Sequence, residues 1–237
     1  MILKYIRLFL AGLFLIIGTI LWIPICMFRP ANRGNSYFIA NYCSWLSWIF
    51  LQVKIKTKYP KGFRYIKNHV IISNHQSNLD IFFVGPIVPR RTVSLGKKEI
   101  LKIPFFGQMY WLAGNILINR GNHKKAWSVM DKVAQTIKED NCNVWIMPEG
   151  TRSKGRGLLP FKKGPFLIAI KGQLPIQPVV FSQYEKTFDL GKLKPGKVVI
   201  EAMDPISTEG MTLDDLDQLM AETRDKMLAH IKIISES

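Results

Sequence analysis

The sequence predicts an α/β protein: a mixed, largely parallel sheet flanked by helices, preceded by an N-terminal two-helix membrane anchor. Three observations carry this. Short apolar runs alternate with helical patterns from residue 52 onward, as βα units do. Several of those runs break off into turns rich in Asn, Ser, Pro or Gly, as strand ends do. Residues 8–28 form an apolar stretch without a single charge.

The N-terminal run of 21 residues is flanked by Lys4, Arg7 and Arg29. As a helix it is about 31 Å long at 1.5 Å per residue, enough to cross a hydrocarbon core. It is longer than the h-region of a signal peptide, and no small-x-small cleavage site follows it. It therefore reads as a retained anchor. Residues 36–53 form a second apolar stretch, interrupted by Asn41, Ser44, Ser47 and Gln52 and enriched in Tyr37, Phe38, Tyr42, Trp45 and Trp48. Aromatic residues favour the membrane interface. The short link RPANRGN carries two arginines, which disfavours placing it across the membrane. A hairpin in one leaflet, or one span plus an interfacial helix, fits as well as two spans.

The remaining chain, 54–237, reads as one α/β domain behind an anchor of residues 1–53. Strands are expected over 52–57, 70–73, 92–95, 116–119, 144–147, 176–181 and 197–203. Helices are expected over 79–87, 104–112, 124–139, 161–171 and 213–233. Residues 54–68, with five lysines and one arginine, join the two parts.

The net charge is +16 and is unevenly spread. Residues 1–53 carry four bases and no acid, residues 201–237 nine acids and three bases, so the middle stretch carries +18. Such a balance fits anionic lipid, a phosphorylated substrate or nucleic acid. The cysteines, Cys26, Cys43 and Cys142, lack CxxC spacing, which argues for a reducing compartment and against a disulfide framework. No histidine, cysteine and carboxylate spacing describes a metal site.

Three strand ends carry chemistry. The run Val70, Ile71, Ile72 ends in SNHQSNLD, which delivers His75 and, five positions on, Asp80. Ser77 and Asp80 match a capping box, so Asp80 alone reads as a helix cap. Yet a carboxylate in the first turn can fold back onto a histidine in the preceding loop and fix its tautomer, leaving the other ring nitrogen as a general base. The run ending at Met147 gives Pro148-Glu149-Gly150-Thr151-Arg152-Ser153, where Arg152 offers a fork suited to phosphate. A third run, NILINR, ends in Arg120.

Together these stretches resemble the glycerolipid acyltransferase family, its bacterial 1-acyl-glycerol-3-phosphate acyltransferases most closely. The family's NHxxxxD motif is NHQSNLD here, its arginine-ended strand is GNILINR, its PEGTRS motif is unaltered, and its proline-rich strand is LPIQPVV. KIPFFGQMYWLAGN and GRGLLPFKKG are also typical, and the resemblance covers most of the chain. Met147 stands where the family commonly has phenylalanine. The resemblance implies acyl transfer from a thioester, acyl-CoA or acyl carrier protein, to the free 2-hydroxyl of lysophosphatidic acid. His75 would be the base, Asp80 its orienting partner, and Arg120 and Arg152 the phosphate ligands, with Glu149, Gly150 and Thr151 shaping the pocket. Lys97 or Lys98 is a further candidate for the oxyanion or the phosphate, against the plainer reading of a solvated lysine pair. The resemblance also implies a place on the cytoplasmic face of the bacterial inner membrane and no cofactor beyond the donor substrate. The motifs all lie beyond residue 69, so residues 1–53 are expected to supply attachment and no catalytic group. Within enzymes the rival is a related acyltransferase that uses glycerol 3-phosphate or another lysophospholipid. From a different class it is a membrane-attached binder of nucleic acid or anionic lipid, but that leaves the ordered motifs unexplained, and no RNP, helix-turn-helix or zinc-finger signature appears.

Overall fold

The computed structural model describes residues 2–119 and 123–236, with only the backbone of 123–128. Its centre is a seven-stranded sheet, with β1 (Lys54–Lys58), β2 (Val70–Ser73), β3 (Thr92–Lys97), β4 (Ile116–Ile118), β5 (Asn143–Ile146), β6 (Ile176–Phe181) and β7 (Lys197–Ala202). The order is β1-β7-β6-β2-β5-β3-β4. All neighbours run parallel except β6 and β7, which are antiparallel, so the sheet is mixed and largely parallel.

The strand period of two divides the core. Val70, Ile72, Val144 and Ile146 face one side, where they meet α5 (His123–Glu139), α6 (Gly164–Gly172) and α7 (Leu216–Glu236). Ile71 and Trp145 face the other, under α1 (Ile2–Phe28), α2 (Asn35–Leu46) and α3 (Asp80–Phe83). α7 shows the helical counterpart of this logic, burying Leu216, Leu219, Thr223, Met227, Ile231 and Ile234 along one stripe. The chain leaves β2 past β5 toward β3, and leaves β5 past β2 toward β6. Right-handed crossovers in opposite directions put α3 and α6 on opposite faces, and the crevice opens at the carboxyl ends of β2 and β5.

The N-terminal part differs in detail from the two-helix expectation. Among the described residues, one helix, Ile2–Phe28, is long and apolar enough to cross a membrane. α1 buries Arg7, Ala11, Gly18, Thr19 and Cys26, while Phe9, Leu13, Ile17, Ile20 and Leu21 are exposed. That is the reverse of a soluble amphipathic helix: small and polar residues face the protein and large apolar ones face outward, which suits lipid. α1 associates the protein with a membrane. α2 has only 12 residues and continues through a π-helical turn, Ser47–Leu51, to Gln52 in the left-handed region. Its Cys43 and Leu46 belong to the same buried cluster as Phe82 and Phe83 of α3.

Both ends of α1 are fastened to the domain. Buried Arg7 donates from Nη1 to the carbonyls of Leu190 (2.8 Å) and Lys192 (2.6 Å), and from Nη2 to that of Leu193 and to Gln52 Oε1. Just past the other end, Ala31 N donates to the Leu112 carbonyl, at the end of α4 (Phe106–Leu112). The helix therefore presents its flank, not its tip, away from the protein.

The predicted helix over 79–87 divides into α3 and a 3₁₀ turn, Gly85–Ile87, where Pro86 lacks the N–H that an α-helix would use. The three cysteines are buried and free.

Candidate active site

The site is assembled where β2 and β5 end side by side. Asn74, just past β2, takes the place of a strand residue: its side-chain amide donates to the Phe181 carbonyl (2.9 Å) and accepts from Phe181 N (2.8 Å). Gln76 Nε2 donates to the Ser182 carbonyl at 2.8 Å. These two amides tie the 74–76 loop to the end of β6, with His75 between them.

On the other side the loop is tied to the β5 turn. Glu149 is buried, and its Oε1 accepts from His75 N (2.6 Å) and its Oε2 from Leu159 N (2.9 Å). The carbonyls of His75 and Gln76 in turn accept from Ser153 N (2.8 Å) and Lys154 N (3.2 Å). Burial pushes the Glu149 pKa up, and the donated N–H groups of His75 and Leu159 pull it partly back. Gly150 makes this turn possible, since its φ of 69° lies in the left-handed region.

The predicted pairing of His75 with Asp80 is present. His75 Nδ1 lies 2.5 Å from Asp80 Oδ2. The same oxygen accepts from Gln76 N (2.9 Å) and Ser77 N (3.2 Å), and Asp80 Oδ1 accepts from the Tyr184 hydroxyl. Asp80 thus caps the turn and orients the histidine at once. A buried carboxylate surrounded by donors requires the proton on Nδ1, so Nε2 is left as the acceptor. The His75 side chain is 21% exposed and that of Asp80 3%: the histidine reaches out while its partner stays dry.

His75 opens onto a cavity of about 780 Å³, within the roughly 300–1,000 Å³ usual for small-molecule sites. Its wall is largely apolar and comes from Leu15 and Ile16 of α1, Ile39 and Ala40 of α2, Val84, and Met109 of α4. The N-terminal helices therefore build the cavity in addition to carrying the lipid-facing flank. Arg152 also lines it, with no hydrogen bond or ion pair to its guanidinium among the described residues.

The other expected residues are placed less centrally. Gly150 and Thr151 lie in the β5 turn beside Arg152, and neither lines the cavity. Lys97 is exposed at the end of β3 and is also absent from the lining. Arg120 lies outside the described residues. LPIQPVV supports the site from behind, with β6 paired to β2 and Gln177 donating to the Met203 carbonyl at 2.6 Å. Sequence reasoning missed Tyr184. It follows β6 by three residues, so its place just past a strand end was the available signal.

A histidine held by a buried carboxylate, at the carboxyl edge of an α/β sheet and beside a largely apolar cavity, is the arrangement of an enzyme site with a positioned base and room for an apolar group. Comparison with known proteins narrows this. A family model described as acyltransferase matches residues 38–182, and the chain belongs to the acyltransferase family. A 1-acyl-sn-glycerol-3-phosphate acyltransferase of Haemophilus influenzae is 39% identical over 99% of this chain and 97% of its own length. The Escherichia coli protein of the same name is 39% identical over 85% of this chain and 82% of its own length. The crystal structure of the 1-acyl-sn-glycerophosphate acyltransferase PlsC from Thermotoga maritima superposes with a TM-score of 0.70, covering 98% of this chain and 96% of that one. At 19% identity that likeness speaks for the fold. The protein is an acyltransferase enzyme.

Proposed function

We propose that the protein transfers a fatty acyl group from an acyl thioester, acyl-CoA or acyl carrier protein, to the 2-hydroxyl of 1-acyl-sn-glycerol 3-phosphate. The product is phosphatidic acid, in phospholipid biosynthesis. The observation that carries this is one adjacency: His75, with Nε2 left as acceptor by its bond to Asp80, stands at the wall of the apolar cavity that Arg152 also lines.

In this scheme His75 takes the proton of the 2-hydroxyl as its oxygen attacks the thioester carbonyl carbon. The imidazolium so formed faces Asp80. The tetrahedral intermediate then collapses with departure of the thiolate, and His75 returns the proton to sulfur. A thiol of pKa about 8.5 leaves without a strong acid. The acceptor is itself the nucleophile, so no covalent enzyme intermediate and no cofactor are called for. Arg152 holds the acceptor's phosphate, and Arg120 is assigned the same role on its motif alone. Lys97 is given no step. We place the enzyme on the cytoplasmic face of the bacterial inner membrane, which the exposed apolar flank of α1 and the bacterial relatives support.

Purified protein in detergent, supplied with lysophosphatidic acid and each donor in turn, tests the reading. Phosphatidic acid should form with one thiol released per turnover. His75→Ala should stay folded and lose about 10²–10⁴ in turnover, the usual worth of positioned base catalysis. Retention of more than about a tenth of wild-type turnover by that variant would show that His75 is not the base. Absence of phosphatidic acid with both donors would overturn the substrate assignment.

A further inference from the structure

We propose that Tyr184 is a positioning residue of the dyad, its phenol holding the second oxygen of Asp80 so that the carboxylate stays set against His75. The inference rests on the reading above that His75 is the base.

Asp80 is buried and, among the described residues, has no lysine or arginine as a hydrogen-bond partner. Its Oδ2 serves three N–H groups, those of His75, Gln76 and Ser77. Its Oδ1 has the Tyr184 hydroxyl. A carboxylate held at one oxygen can still rock about its Cβ–Cγ bond, and rocking would misdirect the bond to Nδ1. The phenol closes that freedom with a charge-assisted bond, among the stronger kinds.

Tyr184 is built to stay in place. It lies in the 3₁₀ turn Tyr184–Lys186 and is 1% exposed. Phe83 meets its ring edge-on, with centroids 5.2 Å apart and planes at 88°, and Phe188 does so at 6.0 Å and 83°. Such edge-to-face contacts leave the ring one orientation, with the hydroxyl on Asp80. Burial and the facing carboxylate push the phenol's pKa up, so it remains a donor. The titratable groups facing Asp80 are His75 from its own loop, Glu149 from the β5 turn, and Tyr184 and Glu185 from the β6 turn.

Tyr184→Phe keeps the ring and removes the donor. The dyad has one negative charge when His75 is neutral and none when it is protonated. A donor to the carboxylate favours the charged state more, so its loss lets the dyad take up a proton at higher pH. The acid limb of kcat/KM against pH should therefore move to higher pH. The value of kcat should fall about 10–150-fold, the factor carried by one charge-assisted bond, with KM within about twofold. A role confined to packing would lower the active fraction and leave the pH profile in place. In an Asp80→Asn background the same change should have little further effect, because the phenol acts through Asp80.

A folded Tyr184→Phe enzyme with an unmoved acid limb overturns the proposal. So does an equal loss in the wild-type and Asp80→Asn backgrounds. Should the phenylalanine variant fail to fold, 2,3-difluorotyrosine at position 184 keeps ring and bond with a stronger donor. The acid limb should then move to lower pH, and no movement would again overturn the proposal. Turnover retained by His75→Ala would instead sink the base assignment. An inactive His75→Ala enzyme beside a Tyr184→Phe enzyme with wild-type turnover and acid limb would sink the role of Tyr184 alone.

Discussion

Two carboxylates in the site have opposite surroundings. Asp80 meets four donors, whereas Glu149 meets two backbone N–H groups at a cost in burial that raises its pKa. Glu149 faces the backbone of the His75 loop, so its work is to hold two loops together. Glu149→Gln sets an amide N–H₂ against one of those donors, and leaving a buried donor unpaired costs about 1–3 kcal/mol. The sign with pH follows from the raised pKa. The folded state binds the Glu149 proton more tightly than the unfolded one, so this contribution to stability is fully present below about pH 4.5 and is lost as pH rises through the folded value. Denaturant unfolding across pH 4–7 should show wild type gaining on Glu149→Gln as pH falls. A gap that widens upward would contradict it. For Arg152, which lines the cavity, the proposed work is on the substrate instead. Arg152→Ala should raise KM for lysophosphatidic acid about 10–150-fold, from the loss of a bond worth about 1.5–3 kcal/mol, and should barely affect acceptors that lack a phosphate. Equal losses with both acceptors would remove phosphate recognition from its role.

At the scale of elements, the close contact is between α2 and the 3₁₀ turn Gly85–Ile87. Gly85 N donates to Ser44 Oγ at 2.9 Å, and a Cβ on Gly85 would lie 2.3 Å from the Ala40 carbonyl oxygen. That obstacle is helix backbone, which cannot rotate away. Gly85→Ala must therefore push α2 outward, at about 1–3 kcal/mol for overpacking and roughly 2–4 °C in Tm per kcal/mol. Because Ala40 also lines the cavity, turnover should fall with Tm. Gly12→Ala on α1, where a Cβ meets nothing within 4 Å, is the control and should be near neutral. Thermal unfolding and activity of the two variants decide the point, and an unchanged Tm for Gly85→Ala would show that α2 gives way freely.

The molecule as a whole joins its site to a lipid surface. α1 is pinned to the domain at Arg7 and next to Ala31, exposes its large apolar side chains, and lends Leu15 and Ile16 to the cavity. On the proposed function, that arrangement would let a lipid substrate reach the site from the membrane side. Burial of that flank is not screened by salt, whereas attraction of exposed bases to anionic lipid fades over about 10 Å at 0.1 M and 3 Å at 1 M. The intact protein should stay with membranes through a wash in roughly 1 M salt, where the Debye length is shortest, and come off with detergent. Release by salt alone, followed by blotting pellet and supernatant, would show that α1 is not the anchor. Removing residues 1–53 would strip cover from Phe82, Phe83 and Ile71, so such a chain should aggregate instead of remaining a soluble enzyme.

Period and local chemistry were legible in the linear sequence. The seven strands, the helices that cover them, and the pairing of His75 with Asp80 across five residues follow from patterns within short windows, because alternation and capping are local physics. The long uncharged run likewise announced a lipid-facing helix. Tertiary structure alone decided three matters. It set Glu149 on the backbone of His75, 74 positions away, and Tyr184 on Asp80, 104 positions away. It also folded residues of α1 and α2, Leu15 and Ile39 among them, into the wall of a cavity otherwise built from the domain. No local pattern marks such contacts: a tyrosine buried for packing alone and one that donates to a buried carboxylate look alike in sequence. Which strand ends come together depends on the order β6-β2-β5, set by the packing of the whole sheet and by no single segment of it.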